Sequence, residues 1–219
     1  MLYPYSVPDF LTKKERLDIK DRIFSLKDRW ITLNGECGLA NDPTKKSFTL
    51  GHAGYVLVDH KNLFESRADS ITMLRDYFDD VYDKTLFFLK KELEVEILPF
   101  YEFTLPGFHI FRGPRKAAFG NLDLHRDRDI FQHYPQSPDY EKTTYAFSSL
   151  IHSTTRAHLE YKRQDEEHVR SLEYKEGDLN IWHSYVYHKI GTCDIEENQH
   201  RITYQGLVFK YKGKHYMYF

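Results

Sequence analysis

His125, Arg126 and Asp127 put an imidazole and a carboxylate two residues apart, and His188 supplies a second imidazole sixty-one residues after Asp127. In an extended strand, residues i and i+2 point to the same face, so His125 and Asp127 can reach one ion together. Two imidazoles and a carboxylate are the set that holds three corners of an octahedral non-haem Fe(II) and leaves three corners open. The third ligand must come from another part of the fold, and the long interval before His188 leaves room for several strands.

Arg201 follows His188 by thirteen residues, in Arg201-Ile202-Thr203, where a strongly β-like run to Tyr211 begins. Arg201 and Thr203 again share a face. A guanidinium offers a carboxylate a two-pronged fork, and a hydroxyl adds one more hydrogen bond. In this order and spacing, His-x-Asp, His and Arg-x-Thr resemble the iron- and 2-oxoglutarate-dependent dioxygenases, over about Tyr101 to Phe209. The resemblance implies that His125, Asp127 and His188 bind Fe(II), that Arg201 and Thr203 hold the distal carboxylate of 2-oxoglutarate, and that O₂ is the oxidant. It implies oxidative decarboxylation of 2-oxoglutarate coupled to hydroxylation of an unactivated C–H bond of a small molecule. Halogenating relatives carry Gly or Ala where this chain has Asp127, so the carboxylate favours hydroxylation or desaturation. Pro106-Gly-Phe-His-Ile-Phe111 is similar to small members that act on free amino acids, which ranks a free amino acid or a natural-product intermediate first among substrates. His109 in that segment reads equally as a cofactor-facing or a core histidine.

Other readings compete for the same residues. His125-Arg-Asp127 matches the start of a protein-kinase catalytic loop, but Gln132 stands where that loop needs Asn, and the chain has no G-x-G-x-x-G and no D-F-G. His158-Leu-Glu160 is a second His-x-carboxylate pair; its flanks, Arg156, Lys162, Arg163, Gln164 and Asp165, read as a solvated strand. His183 and His200 are rivals to His188. His200 would point away from the face of Arg201, which leaves His183 as the stronger rival. A peptide hydroxylase of the same fold and a non-enzymatic metal-binding cupin are the alternative functions, and Arg201-x-Thr203 argues against the cupin. Arg112, Arg115, Lys116 and Arg128 are candidates for an anionic substrate group or plain solvated charges.

The 219 residues carry a formal charge of −2, with 41% hydrophobic and 29% charged residues, as expected of one globular domain. No basic cluster supports nucleic acid or an anionic membrane as partner. The 17 Tyr and 16 Phe favour β structure and bulky cores. Cys37 and Cys193 form no metal or disulfide pattern, which points to a cytoplasmic setting. No apolar run is long enough to span a membrane.

Along the chain, Pro8-Asp9 reads as the start of a helix ending near Trp30, with Phe10, Leu17 and Phe24 at seven-residue spacing and Ile23, Leu26 and Trp30 beside them. Phe48 to Asp59 holds two short extended pieces. Ile71, Leu74, Phe78, Val81, Thr85 and Phe88 mark a helix from about Ser66 to Glu94. After Pro99 the period becomes two, in runs at 101–105, 108–112, 143–152, 156–161, 168–174, 178–182, 201–211 and 215–218. The stretch between Asp127 and Thr143, with His133, Tyr134, Pro135 and Pro138, reads as a loop over the site mouth. Helices first and strands after give an α+β fold. The expectation is a single dioxygenase domain over 1–219, with a mainly helical buttress at 1–98 and a double-stranded β-helix, a cupin-like jelly roll, at 99–219. Glu176-Gly177-Asp178 is the turn that the resemblance places before the distal-His strand.

Overall fold

The computed structural model describes residues 3–32, 35–53, 67–101, 103–114, 124–127, 143–191 and 194–219. Among the described residues, two α-helices, α1 (Lys13–Ser25) and α2 (Arg67–Leu93), precede most of the sheet. The strands are β1 (Tyr5–Val7), β2 (Ile31–Thr32), β3 (Ser47–Leu50), β4 (Ile97–Pro99), β5 (Gly107–Arg112), β6 (Tyr145–His152), β7 (Ala157–Lys162), β8 (Arg170–Tyr174), β9 (Leu179–His183), β10 (Tyr187–Ile190), β11 (His200–Tyr211) and β12 (Lys214–Tyr218). The larger sheet runs β1-β9-β6-β11-β5-β3-β2, with β12 beside β11 and β4 beside β12; the smaller runs β10-β7-β8. This is the expected double-stranded β-helix buttressed by helices. Residues 1–98, expected as a mainly helical buttress with two short extended pieces at 48–59, also place β1, β2 and β3 in the larger sheet.

β11 shows how the layers form. Its even positions Ile202, Tyr204 and Val208 join Phe108 and Ile110 of β5 in a core with α1 and α2. Its odd positions Arg201, Thr203, Gln205 and Leu207 face a cavity on the other side. The period-two alternation thus separates a helix-packed face from a functional one. A second core, from Ala146, Leu150, Leu159, Tyr174 and Trp182, closes the space between the two sheets. The larger sheet pairs β11 regularly with β5, Arg201 opposite Phe111 and Thr203 opposite His109. On its other side, the register with β6 shifts between Ile202 and Thr203, an irregularity of the kind that re-aims side chains beside sites.

Three expectations need correction. α1 begins at Lys13, because Thr12 and Glu15 form a reciprocal capping box, while Asp9 sits at φ 58° in a turn. Leu17, expected in the buried stripe, is 49% exposed; Ile23, Leu26 and Trp30 are buried as expected, and Ile19 joins them. Residues 101–105 form no strand among the described positions: Phe103 donates its N–H back to the Phe100 carbonyl at 3.1 Å, and both rings anchor a cluster with Phe209, Tyr218 and Phe219. The strand next to them is β4, which pairs parallel with β12. The second helix, expected from Ser66 to Glu94, spans Arg67–Leu93. Residues 54–59, part of the second extended piece, lie outside the described residues. Among the described residues, no helix is long and apolar enough to cross a membrane.

Candidate metal centre and cofactor cavity

His125 lies in a short described stretch, 124–127, and forms an isolated antiparallel bridge with His188 of β10. Asp127, two residues on, turns its carboxylate to both rings: Oδ2 is 3.3 Å from His188 Nε2 and Oδ1 is 3.7 Å from His125 Nε2. One donor atom from each of the three residues lies within 4.8 Å of the others, and no other such cluster of His, Cys, Asp or Glu occurs among the described residues. Side-chain exposure rises from 7% at His188 through 24% at Asp127 to 44% at His125, so His188 is innermost. Three donors on one octahedral face, with bonds of about 2.1 Å, stand about 3 Å apart. The set therefore fits a divalent cation with small adjustments.

The electrostatics agree. Burial pushes Asp127 up, but the neighbouring His188, its hydrogen bond, and His125 and His109 together hold the carboxyl below its ordinary range. Burial pushes His188 down, but Asp127 and the Val186 carbonyl outweigh it and raise the imidazole above its ordinary value. The site is therefore built around an ionised carboxylate that favours positive charge. His188 Nδ1 lies 3.1 Å from the Val186 carbonyl. A donated Nδ1–H there fixes the tautomer and leaves the Nε2 lone pair for a metal ion.

A cavity of about 340 Å³ runs inward from this cluster. Arg201 and Thr203 line it, each 1% exposed, together with Ser148, Tyr174 and Gln205. Thr203 Oγ1 is buried and has no hydrogen-bond partner among the described residues, so an acceptor bound in the cavity would satisfy it. Burial raises the Tyr174 phenol, which is also hydrogen-bonded to Ser148, so it stays neutral. Trp182 sets the edge of its ring against His188, with centroids 5.3 Å apart. Tyr174, Trp182, Ser148 and Gln205 are cavity residues that sequence reasoning did not single out. Every residue of β9 is buried, so no polar–apolar alternation marks which of them face inward.

The other sequence candidates fall elsewhere. His183 rests edge-on against Tyr145 at 5.1 Å, and its Nδ1 accepts from the Tyr185 N–H at 3.3 Å. His158 and Glu160 point out of the smaller sheet, 3.4 Å apart, and Lys189 pairs with Glu160 at 3.1 Å. His200 packs edge-on to Phe24 and Trp30 on the helix side, where burial lowers it to about 4. The Arg112 guanidinium is spent on the backbone carbonyls of Ala40, Asp42 and Lys45, so it staples a loop. Arg126 lines the cavity with its guanidinium over the Tyr187 ring at 4.7 Å. Arg115, Lys116, Arg128 and the 132–138 loop lie outside the described residues.

No protein-family profile and no curated protein sequence matches the chain. Solved structures do share its fold. An N-substituted L-amino acid dioxygenase from Burkholderia ambifaria AMMD is 15% identical with a TM-score of 0.55, covering 96% of this chain and 84% of that one. A structure of such a dioxygenase from the same organism in complex with alpha-KG (2-oxoglutarate) is 13% identical with a TM-score of 0.53 and the same coverage. The chain has the double-stranded β-helix fold that these dioxygenases share.

Proposed function

We propose that the chain is a non-haem Fe(II)- and 2-oxoglutarate-dependent oxygenase that hydroxylates an unactivated C–H bond of a small molecule, using O₂. The observation that carries this reading is one cavity, of about 340 Å³, whose mouth holds the His125, Asp127 and His188 donors and whose wall holds the buried Arg201 and Thr203. A plain metal-binding jelly roll has no need of a fully buried arginine beside its metal donors. Both groups fit: the donor set presents two imidazoles and an ionised carboxylate, and Thr203 Oγ1 awaits an acceptor.

His125, Asp127 and His188 would hold the metal, and Arg201 and Thr203 the distal carboxylate of 2-oxoglutarate. When bound, iron and 2-oxoglutarate together supply the oxidising power for hydroxylation, with loss of CO₂ and formation of succinate. The protein's share is placement. The Val186 carbonyl fixes the His188 tautomer, Asp127 stays ionised, and the Arg201 fork sets the direction of the co-substrate. The apolar walls from Leu159, Ile190 and Trp182 keep water from the reacting end. A substrate of amino-acid size suits this cavity and agrees with the substrate class in the name of the Burkholderia enzymes. A cytoplasmic setting fits Cys37, an exposed free thiol. The test is anaerobic titration with Fe(II) and 2-oxoglutarate: a metal-to-ligand charge-transfer band in the visible is expected, and its absence at saturating concentrations of both overturns the reading.

A further inference from the structure

Four side chains of β11 reach the cavity at alternate positions: Arg201, Thr203, Gln205 and Leu207. The first two form the carboxylate anchor proposed above. Leu207 lies opposite Ala146, which lies opposite Trp182, and Trp182 abuts His188. Gln205 therefore occupies the stretch of wall between the anchor and the metal donors. Its carboxamide lies within hydrogen-bonding reach of the His109 ring on the neighbouring strand.

His109 is held tightly. It is 5% exposed, lies opposite Thr203, stacks on Phe111 and meets the Phe219 ring at 5.2 Å. Burial lowers it to about 4, so the ring is neutral at physiological pH and carries one N–H. The neutral ring offers one N–H and one lone pair, and the arrangement with its N–H toward the Gln205 carboxamide oxygen is the one that leaves the NH₂ end for the cavity. A carboxamide whose oxygen is engaged this way has its NH₂ end turned elsewhere, and Gln205, only partly buried, lines the cavity.

We propose that Gln205 is a ligand-contacting residue of the cavity, donating from its carboxamide NH₂ to the 2-oxo acid end of bound 2-oxoglutarate, and that His109 is the residue that positions it. This rests on the 2-oxoglutarate reading and adds to it a second contact, distinct from the distal-carboxylate anchor. Strand spacing places it there: four residues along a strand span about 13 Å, which takes Gln205 well beyond Arg201 toward the metal donors.

The test is calorimetric binding to the full chain loaded with Mn(II), which blocks turnover. The probes are 2-oxoglutarate and 2-oxopentanoate, which lacks the distal carboxylate. Arg201→Ala is expected to weaken 2-oxoglutarate alone. Gln205→Leu is expected to weaken both ligands by about tenfold, the effect of one hydrogen bond to a charged group. His109→Phe should approach the same loss for both, and adding it to Gln205→Leu should cost nothing further, because the two act through one contact. His109→Gln keeps a side-chain N–H and should recover most of the affinity. Unchanged binding in Gln205→Leu, a loss confined to 2-oxoglutarate, or additive losses in the double variant each overturn the proposal. If the Mn(II) protein binds neither ligand, or Arg201→Ala changes nothing, the functional reading fails and takes this proposal with it.

Discussion

His125 and His188 are joined through their main chains: each backbone N–H donates to the other's carbonyl, at 3.0 Å and 2.9 Å. The rings stand with centroids 4.7 Å apart as a result. Two of the three candidate ligands are therefore placed by backbone pairing, and Asp127 follows two residues along the same segment. Backbone pairing of this kind can hold a site in place without an ion, as an efficient centre requires. Chelation should leave the far-ultraviolet circular dichroism spectrum unchanged, and loss of β signal on removing metal would show that the ion shapes the fold.

Substitution of the three donors should separate them from their rivals. His125→Ala, Asp127→Ala and His188→Ala are each expected to weaken metal binding by more than about a hundredfold, since even outer partners of a ligand are worth 10–100-fold. His183→Ala and His158→Ala should change it by less than about twofold, the range of substitutions outside such features. Equilibrium dialysis with Mn(II) reads the difference, and a large loss in His183→Ala would move the third ligand to β9.

Arg201 and Thr203 differ in what each offers a carboxylate. A charge-assisted bond contributes about 1.5–3 kcal/mol, so Arg201→Ala should weaken 2-oxoglutarate by one to two orders of magnitude. Arg201→Lys keeps the charge but loses the planar fork, and should recover part of the affinity. Thr203→Val removes one hydrogen bond at nearly constant shape and should cost least. The expected order, tightest first, is parent, Thr203→Val, Arg201→Lys, Arg201→Ala; equal affinities would remove the anchor from this strand.

That these five candidates share one cavity was legible in the sequence, because His-x-Asp and Arg-x-Thr are each local to one segment and a strand's period of two predicts a shared face. β11 was legible too, since its alternation is long and unbroken. α1 was misread at its start because Pro8-Asp9 signals a turn as readily as a helix, and the deciding bonds join Thr12 and Glu15. Residues 101–105 alternate like a strand, yet Phe100 and Phe103 anchor a turn. β1 has three residues and pairs with β9, some 170 positions away, so no local pattern could reveal it. Trp182 is not marked by any pattern because every residue of β9 is buried, which hides the side that sees the cavity, whereas Gln205 shares the legible face of Arg201 and Thr203 but belongs to no motif.

The misread helix stripe yields its own test. Phe78 is fully buried where α2 departs from helical geometry, its ring 4.7 Å from Phe108. Phe78→Ala should cost about 3–5 kcal/mol in urea unfolding. Leu17→Ala, at an exposed position, should stay within about 0.5 kcal/mol; a cost comparable to that of Phe78→Ala would restore the seven-residue stripe as the buried face.

Acid should destabilise the fold through buried neutral histidines. Burial lowers His52 and His109 from the ordinary 6.5 to about 4. Between those values the unfolded chain binds protons that the native chain refuses, so stability is full above pH 6.5 and declines as pH falls toward 4. Each histidine contributes a slope of about 1.4 kcal/mol per pH unit inside that window. His188 is shifted the opposite way, so its contribution is present below 6.5 and is lost as pH rises through its raised value. Asp127 is lowered, and its contribution is lost only below the ordinary carboxylate range. Burial lowers His200 to about 4 as well, and lowers His152 and His215 in the same direction, so urea unfolding of the chelated protein between pH 6 and 4.5 reads these rings together and single substitutions divide the slope among them. His52→Gln, which lies away from the metal donors, should flatten the slope by about 1.4 kcal/mol per pH unit. A variant with the parent's slope would mean that His52 takes up its proton in the native state, and the acid sensitivity would then have to come from elsewhere.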